Sequence, residues 1–233
     1  MTISRRISAA ALLTCCLAFA QSGANSPVEH RIHQLQINDR PALEAFLAAG
    51  SNAKVPVGLV LTDNQLCTSK VNLTVQDEPA GNVFDALASQ VPGYAWTTEH
   101  GVVLISPKEL PQNTRRLLEL AIPTFRTPSG TLVAQWFDLS MNVRAVLKPY
   151  EGTAIDMLEP SGALKRAPIS LQNATVKEIL DVMVSQPPVG AWVLFPVPQD
   201  FSAAADGQFA AVLSYSATTS VGRISCAAES PKR

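Results

Sequence analysis

The chain has 233 residues, with 18 Lys and Arg against 19 Asp and Glu, a net charge of −1, 47% hydrophobic residues and only 16% charged ones. That balance excludes a disordered chain, and the lack of a basic cluster argues against nucleic acid, whose phosphates need Lys and Arg to neutralise them. The length suits two small domains better than one large one.

Residues 1–20 read as a secretory signal: Arg5 and Arg6 give the positive start, residues 7–19 the apolar run, and Ala18-Phe19-Ala20 a cleavage site before Gln21. An apolar run of about 13 residues is shorter than the roughly 20 a membrane-spanning helix needs. The alternative is lipidation at Cys15 or Cys16, but Thr14 and Cys15 stand where a lipobox wants a small residue. The expectation is a periplasmic or secreted protein with no transmembrane segment after cleavage and 16 basic against 19 acidic residues. Of the cysteines, Cys67 and Cys226 remain, and an even pair in an oxidising compartment invites a disulfide. It would close a loop of about 160 residues, worth at most roughly 5 kcal/mol by chain entropy. The other possibility is one half-buried thiol and one tail thiol that never meet.

Residues 33–38 alternate Leu35 and Ile37 with polar neighbours, as a half-buried strand does. Asp39 offers an N-cap and Pro41 a first-turn residue to a helix with Leu43, Phe46 and Leu47 on one face, ending at Gly50. Residues 56–62 form an apolar second strand, followed by a polar loop holding Cys67, and residues 70–76 alternate Val71, Leu73 and Val75. A helix over 79–91 turns Val83, Phe84, Leu87 and Val91 toward a sheet and stops at Pro92-Gly93. Residues 94–99 and 102–106 make a hairpin turned at His100-Gly101. This first unit, 31–107, is joined by a linker, 108–114, to a second unit, 115–216, with a tail over 217–233.

In the second unit, residues 115–124 supply a strand with Leu118, Leu120 and Ile122, and Pro128-Ser129-Gly130 opens a helix with Leu132, Trp136, Val143 and Leu147. Residues 153–158 and 168–172 are strand candidates. Thr175 with Glu178 makes a capping box for a helix burying Ile179, Leu180 and Met183. Residues 191–197 and 209–216 close as a hairpin.

The two units are one pattern repeated. At an offset of 96, residues 71–96 lie without a gap on 167–192, with seven of 26 pairs identical, among them Asp85/Asp181, Pro92/Pro188 and Trp96/Trp192. The expected class is α+β: two tandem units of order β-α-β-β-α-β-β, each a small sheet with helices on one face. Trp96 and Trp192 are read as structural aromatics filling the gap beneath each unit's helix, and Asp85 and Asp181 as exposed helical positions.

Residues 40–106 resemble the short domain at the N-terminus of secretins and TonB-dependent transducers. The resemblance rests on ALEAFLAA (42–49), VGLVL (57–61), VNLTV (71–75), NVFDALA (82–88), GYAW (93–96) and VVLISP (102–107). Residues 168–192 resemble the second half of that domain, giving one good copy and one diverged copy. What the resemblance implies is protein–protein contact in the periplasm. No barrel, pore segment or plug follows the second copy, so it implies a stand-alone envelope binding module with an unidentified envelope protein as partner.

Catalytic patterns are missing: no Gly-x-Ser-x-Gly elbow, phosphate loop, dinucleotide fingerprint or His-Glu-x-x-His occurs. His30 and His33 have a His-x-x-His spacing, but lead into a strand where they would point to opposite faces; His100 sits in a turn. Asp156 and Glu159 read as solvated surface. Neither cysteine looks catalytic. The expectation is a non-enzyme without cofactor or metal, the alternatives being a protein that binds a small ligand or cell wall between the units and a secreted hydrolase of unfamiliar type.

Overall fold

The computed structural model describes residues 26–146, 165–196 and 209–214. After a short turn at Pro27–Glu29, the elements are β1 (Arg31–Pro41), α1 (Ala42–Ala53), β2 (Val57–Val60), α2 (Gln65–Thr68), β3 (Lys70–Pro79), α3 (Ala80–Ser89), β4 (Tyr94–Glu99) and β5 (Val102–Pro107). They continue with α4 (Gln112–Leu118), β6 (Ala121–Thr127), α5 (Leu132–Val146), β7 (Ile169–Thr175), α6 (Val176–Ser185), β8 (Ala191–Pro196) and β9 (Phe209–Ser214). The class is mixed α+β.

Each unit contributes an antiparallel pair, β1 with β3 and β6 with β7, standing apart from a five-stranded sheet of order β4-β5-β2-β8-β9. That sheet crosses the unit boundary. β2 pairs in parallel with β5 of its own unit and with β8 of the other, in the register Val57↔Ala191, Gly58↔Trp192, Leu59↔Val193, Val60↔Leu194.

The alternation of side chains along these strands divides the core in two. Val57, Leu59, Val103, Ile105, Ala191 and Val193 face Leu43, Phe46, Phe84 and Leu87 of α1 and α3. Val60, Val102, Leu104, Trp192 and Leu194 face Leu139 and Val143 of α5, Ile179, Leu180 and Met183 of α6, and Leu117 and Leu118 of α4. The helices of each unit thus lie on one face, but on opposite faces of a shared sheet. The face that the first unit's helices leave open is the one the second unit covers, which is why all four β2 residues are buried.

Several local expectations hold. Thr175 Oγ1 accepts from Glu178 N–H at 3.1 Å, and Glu178 Oε2 from Thr175 N–H at 2.7 Å, completing the capping box. That hydrogen bonding holds the Glu178 carboxyl below its ordinary pKa, so the cap stabilises above the carboxylate range and weakens as pH falls through it. His100 and Gly101 both have positive φ, 51° and 79°, the two-residue turn that matches strand twist.

Others change. Asp39 is not the cap of α1, which starts after Pro41 without a side-chain cap. Asp39 has φ 51° where the β1–β3 register shifts, and its N–H is taken by Asn72 Oδ1 at 2.9 Å. α1 passes Gly50 and ends at Ala53, with left-handed Lys54 closing it. The loop holding Cys67 contains the short α2. The stretch expected as linker and strand, 108–124, is helical over α4, because Leu117 and Leu118 turn together into the second core while Pro111 stands ahead of the first turn.

At Gly58 the two units come into close contact. A Cβ there would lie 2.4 Å from Cζ2 of Trp192, so only glycine lets the indole lie across β2. Gly58→Ala should lower stability by about 1–3 kcal/mol through overpacking. Trp192→Phe in the same chain should recover part of that loss, since the two sites share one space; urea midpoints of the four-member cycle check the coupling.

Candidate interaction surface

The repeated Asp and Trp meet in both units. Trp96 Nε1 donates to Asp85 Oδ1 and Trp192 Nε1 to Asp181 Oδ1, each at 2.9 Å and each from the strand after the helix to the helix itself. An aspartate one position after the buried helical Phe84 or Leu180 sits at the flank of the helix, within reach of an indole on the adjoining strand. The surroundings differ. Asp85 is exposed and Trp96 half-buried beside Phe84, their ring centroids 5.7 Å apart. Trp192 is 0% and Asp181 1% exposed. The exposed position expected for Asp181 is therefore corrected: Trp192 and Lys177 hold its carboxylate, and His100 of the β4–β5 turn lies beside it.

Lys177 answers that burial. Its Nζ lies 2.7 Å from Asp181 Oδ2 and 2.9 Å from Glu99 Oε2, the last residue of β4. Burial pushes the Asp181 carboxyl above its ordinary pKa, with Lys177 and Trp192 pulling partly against it. Burial also opposes the Lys177 ammonium, but hydrogen bonds to Asp181 and Glu99 outweigh it and hold its pKa above the usual value. A cation from one unit between carboxylates of both ties the hairpin of the first to the helix of the second. A shallow recess of about 370 Å³ beside it is lined by His100, Asp181, Ser185 and Gln186. Ser185 Oγ there donates to the Asp181 backbone carbonyl at 2.7 Å.

The remaining candidates scatter. His30 Nδ1 is 3.1 Å from the Ala53 carbonyl, and His33 Nδ1 is 3.1 Å from Asp77 Oδ1. Asp77 also takes the Arg31 guanidinium, and these partners hold its carboxyl below the ordinary range. Among the described residues no three His, Cys, Asp or Glu side chains converge as a metal site would require. Cys67 is disulfide-bonded. Cys226, the cleavage pair Ala20 and Gln21, and Asp156 and Glu159 lie outside the described residues.

A cleft of about 350 Å³ runs between α1 and the turn before β8, lined by Leu47, Val55, Val57, Pro188 and Ala191 with Ser51 and Lys54 at its rim. An apolar cleft with so few polar groups offers little to orient a ligand. Among the described residues, no helix is long and apolar enough to cross a membrane. Three surface features stand out: the outer edge of β4, the exposed Phe137 and Met141 of α5, and the Arg31–His33–Asp77 cluster. No protein-family model, curated protein or solved structure matches the chain.

Asp181→Ala leaves the buried Trp192 N–H without its acceptor and should cost about 1–3 kcal/mol. Asp85→Ala, at an exposed site, should stay within about 0.5 kcal/mol. Because the folded protein raises the Asp181 pKa, it holds that proton more tightly than the unfolded chain does. Wild-type stability should therefore rise relative to Asp181→Asn as pH falls from neutrality into the carboxylate range, and paired chemical denaturation across that range measures it.

Proposed function

We propose that the chain is a non-catalytic protein–protein interaction module of the cell envelope. The observation that carries this reading is the β2–β8 junction. There the first half of the chain holds the second by pairing strand edges and burying an aromatic against a glycine, which is a way of binding protein. An outer strand, β4, and an apolar helix surface at Phe137 (62% exposed) and Met141 (49% exposed) supply further places to bind. The leader at residues 1–20 supports an envelope location, and the resemblance of residues 40–106 to the short domain of secretins and TonB-dependent transducers supports a protein as the ligand.

Site-specific photocrosslinkers placed singly at Thr97 on β4 and at Phe137 on α5, in the protein produced in its native host, test the reading. A discrete adduct with one other envelope protein from either position is the expected result. Failure of both positions to give any adduct above that of a crosslinker-free control would overturn it.

A further inference from the structure

The β2–β8 junction has a twin that no described strand covers. β8 meets β2 through the backbone of Gly190, Trp192 and Leu194: Val57 N–H donates to the Gly190 carbonyl at 3.2 Å and Leu61 N–H to the Leu194 carbonyl at 2.8 Å. Ninety-six positions earlier stand Tyr94, Trp96 and Thr98 of β4. The turn at His100-Gly101 fixes their direction independently. Glu99 and Val102 flank a two-residue turn and bond each other, so Thr97 and Ala95 point their N–H groups at β5 while Thr98 and Trp96 point theirs away. Nothing among the described residues pairs with that edge, since β4 stands at one end of the sheet.

The side chains repeat as well. Trp96 makes the same bond to Asp85 that Trp192 makes to Asp181, at the same 2.9 Å. Trp192 is wholly covered and Trp96 is not. What differs is the neighbouring strand: beside Trp192 runs β2 with Gly58 under the indole, whereas no described strand runs beside Trp96, whose indole lies near Gly81 on α3.

We infer that the outer edge of β4 docks an extended segment of a different protein, added in parallel, with an apolar run and a glycine opposite Trp96. This deepens the interaction-module reading and rests on it. The chemistry of the occupant is taken from β2, whose Val57-Gly58-Leu59-Val60 is the strand that the equivalent edge accepts. A second copy cannot offer that strand, because β2 already lies between β5 and β8. The glycine sets the register: any Cβ at that position in the junction would sit 2.4 Å from the indole.

A fluorescein-labelled synthetic peptide with the sequence of residues 54–63, KVPVGLVLTD, titrated into the purified intact protein by fluorescence anisotropy, tests the inference. Saturable binding is expected, weakened about ten-fold or more when the peptide glycine is replaced by valine. Thr98→Pro in the protein should abolish binding with little change in unfolding midpoint, because its N–H faces away from β5 and edge strands accept proline there. Should that variant not fold, the glycine–valine comparison on the wild-type protein still decides. Absence of binding, equal binding of both peptides, or binding that a folded Thr98→Pro protein retains would each overturn the inference. So would self-association of the protein alone that Thr98→Pro abolishes, since the occupant would then be a second copy. A photoadduct at Thr97 or Phe137 without peptide binding removes the strand chemistry and leaves the interaction reading intact; loss of peptide binding together with both photoadducts removes both.

Discussion

The architecture depends on one pair of parallel strands. Without the β2–β8 ladder the chain would be two small units, each with an apolar sheet face turned to water. With it, Val57 and Leu59 belong to one core while Gly58 and Val60 serve the other, so a single four-residue strand is shared by both hydrophobic centres. A strand buried on both faces reads as a continuous apolar run, and Val57-Gly58-Leu59-Val60 fits that pattern with one position surrendered to the opposing indole.

The junction also explains why the same two residues behave differently in the two units. An indole bonded to a carboxylate is a modest contact at Trp96, where Asp85 is exposed. Covered by a neighbouring strand, the contact becomes a buried charge that needs compensation, and Lys177 supplies it between Asp181 and Glu99. The lysine has no counterpart in the first unit, where Gly81 stands at the matching position.

Local features were legible in the sequence, and long-range ones were not. The stripes of α1, α3 and α6, the Thr175–Glu178 cap and the His100-Gly101 turn are decided by neighbours within a few residues, so pattern and propensity suffice to find them. Asp39 misled because a left-handed bulge residue and an N-cap draw on the same side-chain chemistry. Residues 115–118 misled because a short run of leucines fits a strand or a helix equally until its packing partner is known. The pairing of β2 with β8 left no local trace. One signal for Asp181 was present: an Asp and a Trp identical in both units and 11 residues apart in each, a coincidence that shared side-chain contact explains better than two exposed positions do.

The distance along the chain between Gly58 and Trp192, 134 residues, has a kinetic meaning. A polypeptide emerging vectorially, N-terminus first, presents β2 long before β8 exists to receive it. During that interval the first unit holds an unpaired edge and a bare apolar surface at Val60, Val102 and Leu104. Pairings of such sequence separation form slowly, and exposed edges are what aggregation recruits. A chain built this way matures late and all at once, when its last strands arrive to close the first.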